Sequence, residues 1–188
     1  MPISFSSGNG GGGSYLRVNM PQNRWTYVSD AGQEDLSDPV IAFDVAKIQL
    51  GWLAIDTGFR DWQAWPGNTE TVAPGDNYKR GFELDCWVSG GRHGTFSGNS
   101  YGQTSFIERL YNEAEKAPEF AAGKVPMVKI TASTPISVGK GTSYNLEFVI
   151  GKWIDRPDVS ETPPEAPVSQ PDSAASASSV ASPDEFGF

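Results

Sequence analysis

Residues 81–89 read GFELDCWVS and show a regular alternation of apolar and polar side chains. The even-numbered positions from 82 to 88 hold Phe, Leu, Cys and Val, whereas the odd-numbered positions between them hold Glu, Asp and Trp. Successive side chains of a strand point to opposite faces of a sheet, so this pattern predicts a strand with one buried face. The surrounding sequence is therefore expected to form a β-rich domain.

Four further segments have strand-like composition, and one has helical spacing. The predicted strands cover residues 42–55, 59–65, 81–89, 125–136 and 143–154. One helix is predicted over residues 104–120, because apolar residues recur at helical spacing from Phe106 to Ala114. Five strands with a helix between the third and fourth is the order of the OB-fold, a partly open barrel. The predicted fold class is mainly β, with a five-stranded OB-fold barrel.

Composition divides the chain into three parts. Residues 1–14 contain the run SSGNGGGGS and are predicted to be a flexible, Gly-rich N-terminus. Residues 15–155 are predicted to be the folded domain, which begins with an extended N-terminal segment broken at Pro21. Residues 156–188 are dominated by Pro, Ser, Ala and acids, which predicts a disordered tail. Polar, Gly- or Pro-rich composition predicts loops at residues 29–39, 66–77 and 90–102.

The charge of the chain is unevenly distributed. The net charge is −9, but residues 1–154 hold 16 acids and 13 bases, so most of the excess negative charge lies in the tail. A nearly neutral domain can still carry a basic groove, so nucleic acid is not excluded as a ligand. A single cysteine, no signal-like N-terminus and no long apolar run predict a protein of the cytoplasm, or of the host cytoplasm if phage-encoded, without membrane contact.

The residues that usually carry catalysis do not form a recognisable set. His93 is the only histidine and has no metal-ligand spacing to a second one. Cys86 lies on the apolar face of its strand, which indicates a buried thiol. Asp56 and Asp61 near Trp62 could imitate a glycosidase pair, but acids beside turns are common. We therefore expect no enzymatic activity, no cofactor and no metal.

Aromatic and basic residues are concentrated in the middle of the chain. Aromatic rings on a barrel surface can stack on bases, and nearby cations can contact phosphates. The predicted residues of such a single-strand site are Phe59, Arg60, Trp62, Trp65, Lys79, Arg80 and Arg92. The alternatives are that Trp62 and Trp65 close the end of the barrel and that the basic residues are merely scattered over the solvent-exposed surface.

The chain ends with the sequence SPDEFGF. A terminal Phe ring can fill an apolar pocket while its carboxylate meets a basic side chain, and neighbouring acids favour a basic partner surface. Asp184, Glu185, Phe186 and Phe188 are thus predicted to bind a partner protein. This end resembles the C-terminal peptide of bacterial and phage single-stranded-DNA-binding proteins.

The resemblance extends to the predicted domain. YKRGFELDCWVSGGRHGTFSGNSYG (residues 78–102) and GKVPMVKITASTPISVGKGTSYNLEFVIGKWIDRP (residues 123–157) are similar to phage single-stranded-DNA-binding proteins. The resemblance implies an OB-fold that binds single strands without sequence preference, and a tail that recruits replication and repair proteins. A homo-oligomer is possible. The alternatives are a carbohydrate-binding or virion surface β-module and a structural assembly protein.

Overall fold

A computed structural model describes residues 13–158 of the chain. Its strands are β1 (Tyr15–Asn19), β2 (Arg24–Ser29), β3 (Gly32–Leu36), β4 (Val40–Phe43), β5 (Gln49–Asp56), β6 (Phe59–Ala64), β7 (Lys79–Val88), β8 (Arg92–Gly98), β9 (Val125–Val138) and β10 (Gly141–Ile154). Its helices are α1 (Tyr101–Ala114) and α2 (Pro118–Ala121), with 3₁₀ turns at Met20–Gln22, Val45–Lys47 and Pro66–Asn68. The prediction of a mainly β protein is confirmed.

The strands form one sheet that divides into two branches at β7. The main path runs β10-β9-β4-β7-β8-β1-β2-β3, and β5 and β6 lie off this path. Strands β4 and β5 follow each other along the same edge of β7, with the turn Val45–Lys47 between them. On its other edge β4 pairs with β9, whereas β5 pairs with β6. The β1–β8 pair is parallel, and the other pairs are antiparallel.

The predicted five-stranded barrel is not confirmed. The sheet has ten strands, and no pairing within residues 13–158 joins β10 to β3 and closes it. The predicted strand 42–55 is two strands, because the chain turns at Asp44 and continues along β7 as β5. The predicted loops 29–39 and 90–102 contain β3 and β8, which the polar and Gly-rich compositions of those segments concealed.

Glycines in β8 serve packing rather than flexibility. A Cβ atom at Gly94 would lie 3.1 Å from the Tyr27 ring, and one at Gly98 would lie 2.5 Å from Oε1 of the Gln103 side chain. Both positions are buried and have ordinary strand conformations, so the absent side chains make room for neighbouring elements. Gly-rich composition was therefore a misleading sign of a loop in this segment.

The main core lies between the sheet and α1. Trp25, Phe43, Phe96 and Phe106 are fully buried, and the ring centroids of Trp25 and Phe43 each lie 5.4–6.2 Å from those of the other three residues. The predicted helix over 104–120 begins earlier, at Tyr101, and ends at Ala114. Its start is fixed by a capping box that Ser100 and Gln103 form at the N-terminus. Pro118 begins the separate helix α2, as is common for proline at a first helical position.

Two predicted segments fall largely or wholly outside the described residues. The Gly-rich N-terminus was predicted for residues 1–14, of which only 13 and 14 are described. The tail was predicted for residues 156–188, of which 156–158 are described. The partner-binding residues predicted at the C-terminus, Asp184, Glu185, Phe186 and Phe188, lie outside the described range.

Candidate nucleic-acid interface

Three of the predicted binding residues share one face of the β6–β5–β7 sheet branch. Leu53 of β5 is paired with Trp62 of β6 on one side and with Lys79 of β7 on the other, so these side chains point the same way. Arg60 precedes Trp62 by two positions and therefore lies on that face too. We call this surface, which carries Arg60, Trp62 and Lys79, the hairpin face.

Trp62 is held against the backbone of β5. Its indole lies over Gly51, where an added Cβ atom would be only 2.7 Å from Trp62 Cη2. The side chain is half-buried, whereas Lys79 is exposed and has no carboxylate partner among residues 13–158. The sequence left packing and base stacking as alternative roles for Trp62. Its ring packs on β5 and also keeps a partly exposed surface.

Arg60 reaches across β7 to β8. Its Nη2 atom donates to Glu83 Oε2 at 2.5 Å and to Ser97 Oγ at 3.0 Å. Glu83 and Ser97 are cross-strand neighbours on the side of the sheet opposite the main core. The hairpin face is therefore continuous with the outer surface of β7 and β8.

Trp65 and Arg80 lie on the other face of the same sheet branch. Trp65 is 9 % exposed and packs edge-on against Trp52, with the ring centroids 5.4 Å apart. The segment 66–77 covers this face, because the Thr71 carbonyl accepts from Trp52 Nε1 at 3.1 Å and Glu70 pairs with Arg80 at 2.8 Å. Trp65 is thus a packing residue with little ring surface to offer a base.

Phe59 is at the start of β6 and also falls on the opposite side from Arg60, because adjacent strand residues alternate. Its side chain is 48 % exposed, and Ile55 at the same end of the hairpin is 59 % exposed. Phe59 therefore has an accessible ring at the rim of the hairpin, outside the hairpin face itself.

Arg92 does not join the other predicted cations. Its guanidinium lies 4.8 Å from the Tyr27 ring centroid and forms a bidentate pair with Glu34, at 2.6 and 3.2 Å. Side-chain hydrogen bonding between the two groups raises the pKa of Arg92 and lowers that of Glu34. Arg92 is five residues from Ser97, or about 17 Å along β8, and points to the opposite face. The expected convergence of Arg92 with Arg60 is therefore not found.

A hydrogen-bonded pair joins the end of the 66–77 segment to β6. The Tyr78 hydroxyl donates to Asp61 Oδ2 at 2.6 Å, and Gln63 Nε2 donates to the same oxygen at 3.0 Å. The hydrogen bond from Tyr78 is the largest of the effects that lower the pKa of Asp61. The same bond raises the pKa of Tyr78. The contact fixes the position of the segment that covers Trp52 and Trp65.

Two residues of β1 extend this surface and were not predicted. Tyr15 pairs with Thr95, and Leu16 pairs with Phe96, in a parallel register. Arg17 and Ser97 each follow one of the paired residues, so they point to the same outer side. Tyr15 is 41 % exposed, and Arg17 is exposed. The alternation in YLRVN was available from the sequence, but no signal there placed β1 beside β8.

The described residues contain no catalytic or metal-binding arrangement that we recognise. Within residues 13–158, no group of three or more His, Cys, Asp and Glu side chains could hold a metal ion. Burial raises the pKa of the Cys86 thiol far above its ordinary value. His93 contacts Asp85 through Nε2 at 2.8 Å and lies beside the Trp87 ring. Across the same range, none of the helices has the length and apolar character needed to cross a membrane.

Comparison with protein-family models, curated proteins and solved structures finds no match.

Proposed function

We propose that the domain binds single-stranded DNA without sequence preference along the hairpin face and the adjoining outer surface of β8 and β1. The observation that carries the proposal is the clustering of Arg60, Trp62 and Lys79 on one face. A half-open indole can stack on any base, because every base has a π-face. The two cations can contact the phosphates on either side.

We also propose that the core is an elaborated OB-fold. In this interpretation β4 and β5 together are the bent first strand, β7 and β8 are the second and third, and β9 and β10 are the fourth and fifth. The position of α1 between β8 and β9 supports it. Strands β1 to β3 and β6 are additions. Oligonucleotides bind OB-folds across the second and third strands, which here carry Glu83 and Ser97.

The proposed site and the site predicted from the sequence contain different sets of residues. Arg60, Trp62 and Lys79 remain in it, and Tyr15 and Arg17 are added from β1. Phe59 is placed at its rim. Trp65, Arg80 and Arg92 are left out, because one is buried with Trp52 and the two arginines pair with carboxylates on the other face.

The tail has a separate proposed role. Asp184, Glu185, Phe186 and Phe188 would recruit replication or repair proteins, a proposal that rests on the sequence of the C-terminus and its resemblance to single-stranded-DNA-binding proteins. Homo-oligomerisation stays a prediction.

Fluorescence of the full chain, titrated with oligo-dT and with neutral oligosaccharides, tests the proposed function. Trp62 is expected to be quenched by oligo-dT, with an affinity that falls as salt rises. The slope of log affinity against log salt should change by about −0.7 for each phosphate neutralised. Binding of oligosaccharides alone would favour the carbohydrate-binding alternative, and absence of oligo-dT binding at low salt would remove the proposal.

A further inference from the structure

Glu83 is paired with Arg60, one of the two cations of the hairpin face. Its Oε2 atom accepts from Arg60 Nη2 at 2.5 Å, and the same nitrogen donates to Ser97 Oγ at 3.0 Å. The Arg60 and Glu83 side chains are 44 % and 25 % exposed. A carboxylate oxygen therefore already lies where a guanidinium would hold an incoming oxyanion.

We propose that the Glu83 carboxylate competes with a DNA phosphate for Arg60. This competition sets the affinity of the site for single strands. The inference rests on the proposed function and assigns one phosphate position to Arg60 and Ser97. Carboxylates and phosphates bind a guanidinium with the same geometry, so one can replace the other. Ser97 accepts from Arg60 and keeps its own hydroxyl hydrogen for a second oxygen.

The surroundings of the pair favour exchange. A partly exposed ion pair contributes little to folding, so the domain does not depend on Glu83 remaining bound to Arg60. Arg17 points to the same side of the sheet as Ser97 and has no carboxylate partner within the described residues. Phosphate arriving at Ser97 would meet Arg17 and Arg60, while Glu83 would be released to water.

Glu34 provides a matched control for Glu83. It also pairs with an arginine, Arg92, but on the opposite face of β8. Glu83→Gln and Glu34→Gln change the net charge equally and keep a side chain that can accept a hydrogen bond. A general effect of charge would appear in both variants, whereas release of the Arg60 site would appear only in Glu83→Gln.

The test measures oligo-dT affinity by anisotropy at several salt concentrations, with the full chain. Glu83→Gln is expected to bind about 3- to 10-fold more tightly at low salt. The slope of its salt dependence should stay close to that of wild type, because phosphate contacts Arg60 in both proteins once Glu83 is released. The gain should disappear when Arg60→Ala is added to Glu83→Gln. Equal affinities of wild type and Glu83→Gln, or an equal gain in Glu34→Gln, would overturn the inference.

A second measurement separates this inference from the proposed function. Inorganic phosphate is titrated into wild type and Glu83→Gln while the guanidinium resonances of Arg60 are followed by NMR. Larger shifts in Glu83→Gln, without binding of oligo-dT by either protein, would retain the anion site and reject the DNA proposal. Oligo-dT binding with unchanged Arg60 resonances in both proteins would reject the anion site and retain the DNA proposal.

Discussion

Arg156 donates two hydrogen bonds to the carboxylate of Asp44, from Nε at 2.6 Å and from Nη2 at 3.0 Å. The Asp44 side chain is 2 % exposed, and it lies at the turn that separates β4 from β5. Composition alone predicts that Arg156 belongs to the tail, because the sequence from that position is rich in Pro, Ser and acids. Its guanidinium instead neutralises a carboxylate buried in the domain, which links the end of β10 to the bend in the sheet.

Replacing Arg156 should destabilise the domain. Arg156→Ala leaves the buried Asp44 carboxylate without its cation, and the expected loss is about 3 kcal/mol of unfolding free energy in urea. A chain truncated after Asp155 should show a similar loss, whereas one truncated after Asp158 should not. Lys124→Ala is the control, because Lys124 pairs at 3.5 Å with the almost fully exposed Asp155 and should contribute less than about 1 kcal/mol. Equal stability of the two truncated chains would contradict the prediction.

The Tyr78–Asp61 contact predicts a dependence of stability on acid pH. The pKa of Asp61 is lowered in the folded state, chiefly by the Tyr78 hydroxyl, so the unfolded chain binds more protons near its ordinary pKa of about 3.9. The contribution of Asp61 to the unfolding free energy is thus fully present above that pH. It is lost as the pH falls through the lowered pKa that Asp61 has in the folded state. Tyr78→Phe should lose less stability between about pH 5 and 2 than wild type. Superimposable curves of unfolding free energy against pH would exclude this role.

The sequence predicts an element correctly where the composition of the segment reflects how its side chains are packed. GFELDCWVS is predicted correctly as a strand because Phe82, Leu84, Cys86 and Val88 form a buried face, although Trp87 on the other face is buried as well. β8 was missed because Gly94 and Gly98, which usually indicate a loop, are required there by the neighbouring Tyr27 and Gln103 side chains. Such contacts join residues distant in the chain, so local composition could not predict them.

The candidate site was predicted in part for a similar reason. Residue types suited to base stacking and phosphate contact were visible in the sequence, but their faces depended on strand register. Lys79 and Arg80 are adjacent in the chain and lie on opposite faces of β7, with Lys79 beside Leu53 and Arg80 beside Trp52. The parallel pairing that brings Arg17 near Ser97 depends on the fold and has no local signal.

Gly51 is expected to be intolerant of a side chain. A Cβ atom there would lie 2.7 Å from Trp62 Cη2 and would also contact the carbonyl oxygen of Gln63, so β5 and β6 must move apart. Gly51→Ala should cost about 1–3 kcal/mol in chemical denaturation. Gly151→Ala is the matched strand control, because its nearest neighbour, the Met127 carbonyl oxygen, is at an ordinary 3.7 Å. A Gly51→Ala variant as stable as Gly151→Ala would show that Trp62 is not held as described.

The C-terminal peptide is expected to act on partner proteins and not on folding. Deleting residues 184–188 should leave the unfolding free energy unchanged and should not weaken oligo-dT binding. It should abolish capture of replication or repair proteins from a host lysate, and Phe188→Ala alone should nearly do so, because the ring and terminal carboxylate act together. Ser182→Ala, just before the deleted residues, is the control for an unspecific change. Capture of the same proteins by the intact and shortened chains would reject the recruiting role.

Trp62 and Trp52 lie on opposite faces of the β5–β6 hairpin, because Trp62 pairs with Leu53, the residue after Trp52. The two rings should therefore differ in what they contribute. Trp62→Ala removes a half-open ring from the hairpin face and should weaken oligo-dT binding by about 1–3 kcal/mol. Trp52→Ala removes a ring that packs on Trp65 and donates to the Thr71 carbonyl, so it should lower unfolding free energy by about 3–5 kcal/mol. Affinity and stability are measured on each variant, with affinity corrected for the folded fraction. If Trp62→Ala unfolds the domain and the folded remainder binds oligo-dT like wild type, stacking by Trp62 is excluded, because its ring would then contribute only to packing over Gly51.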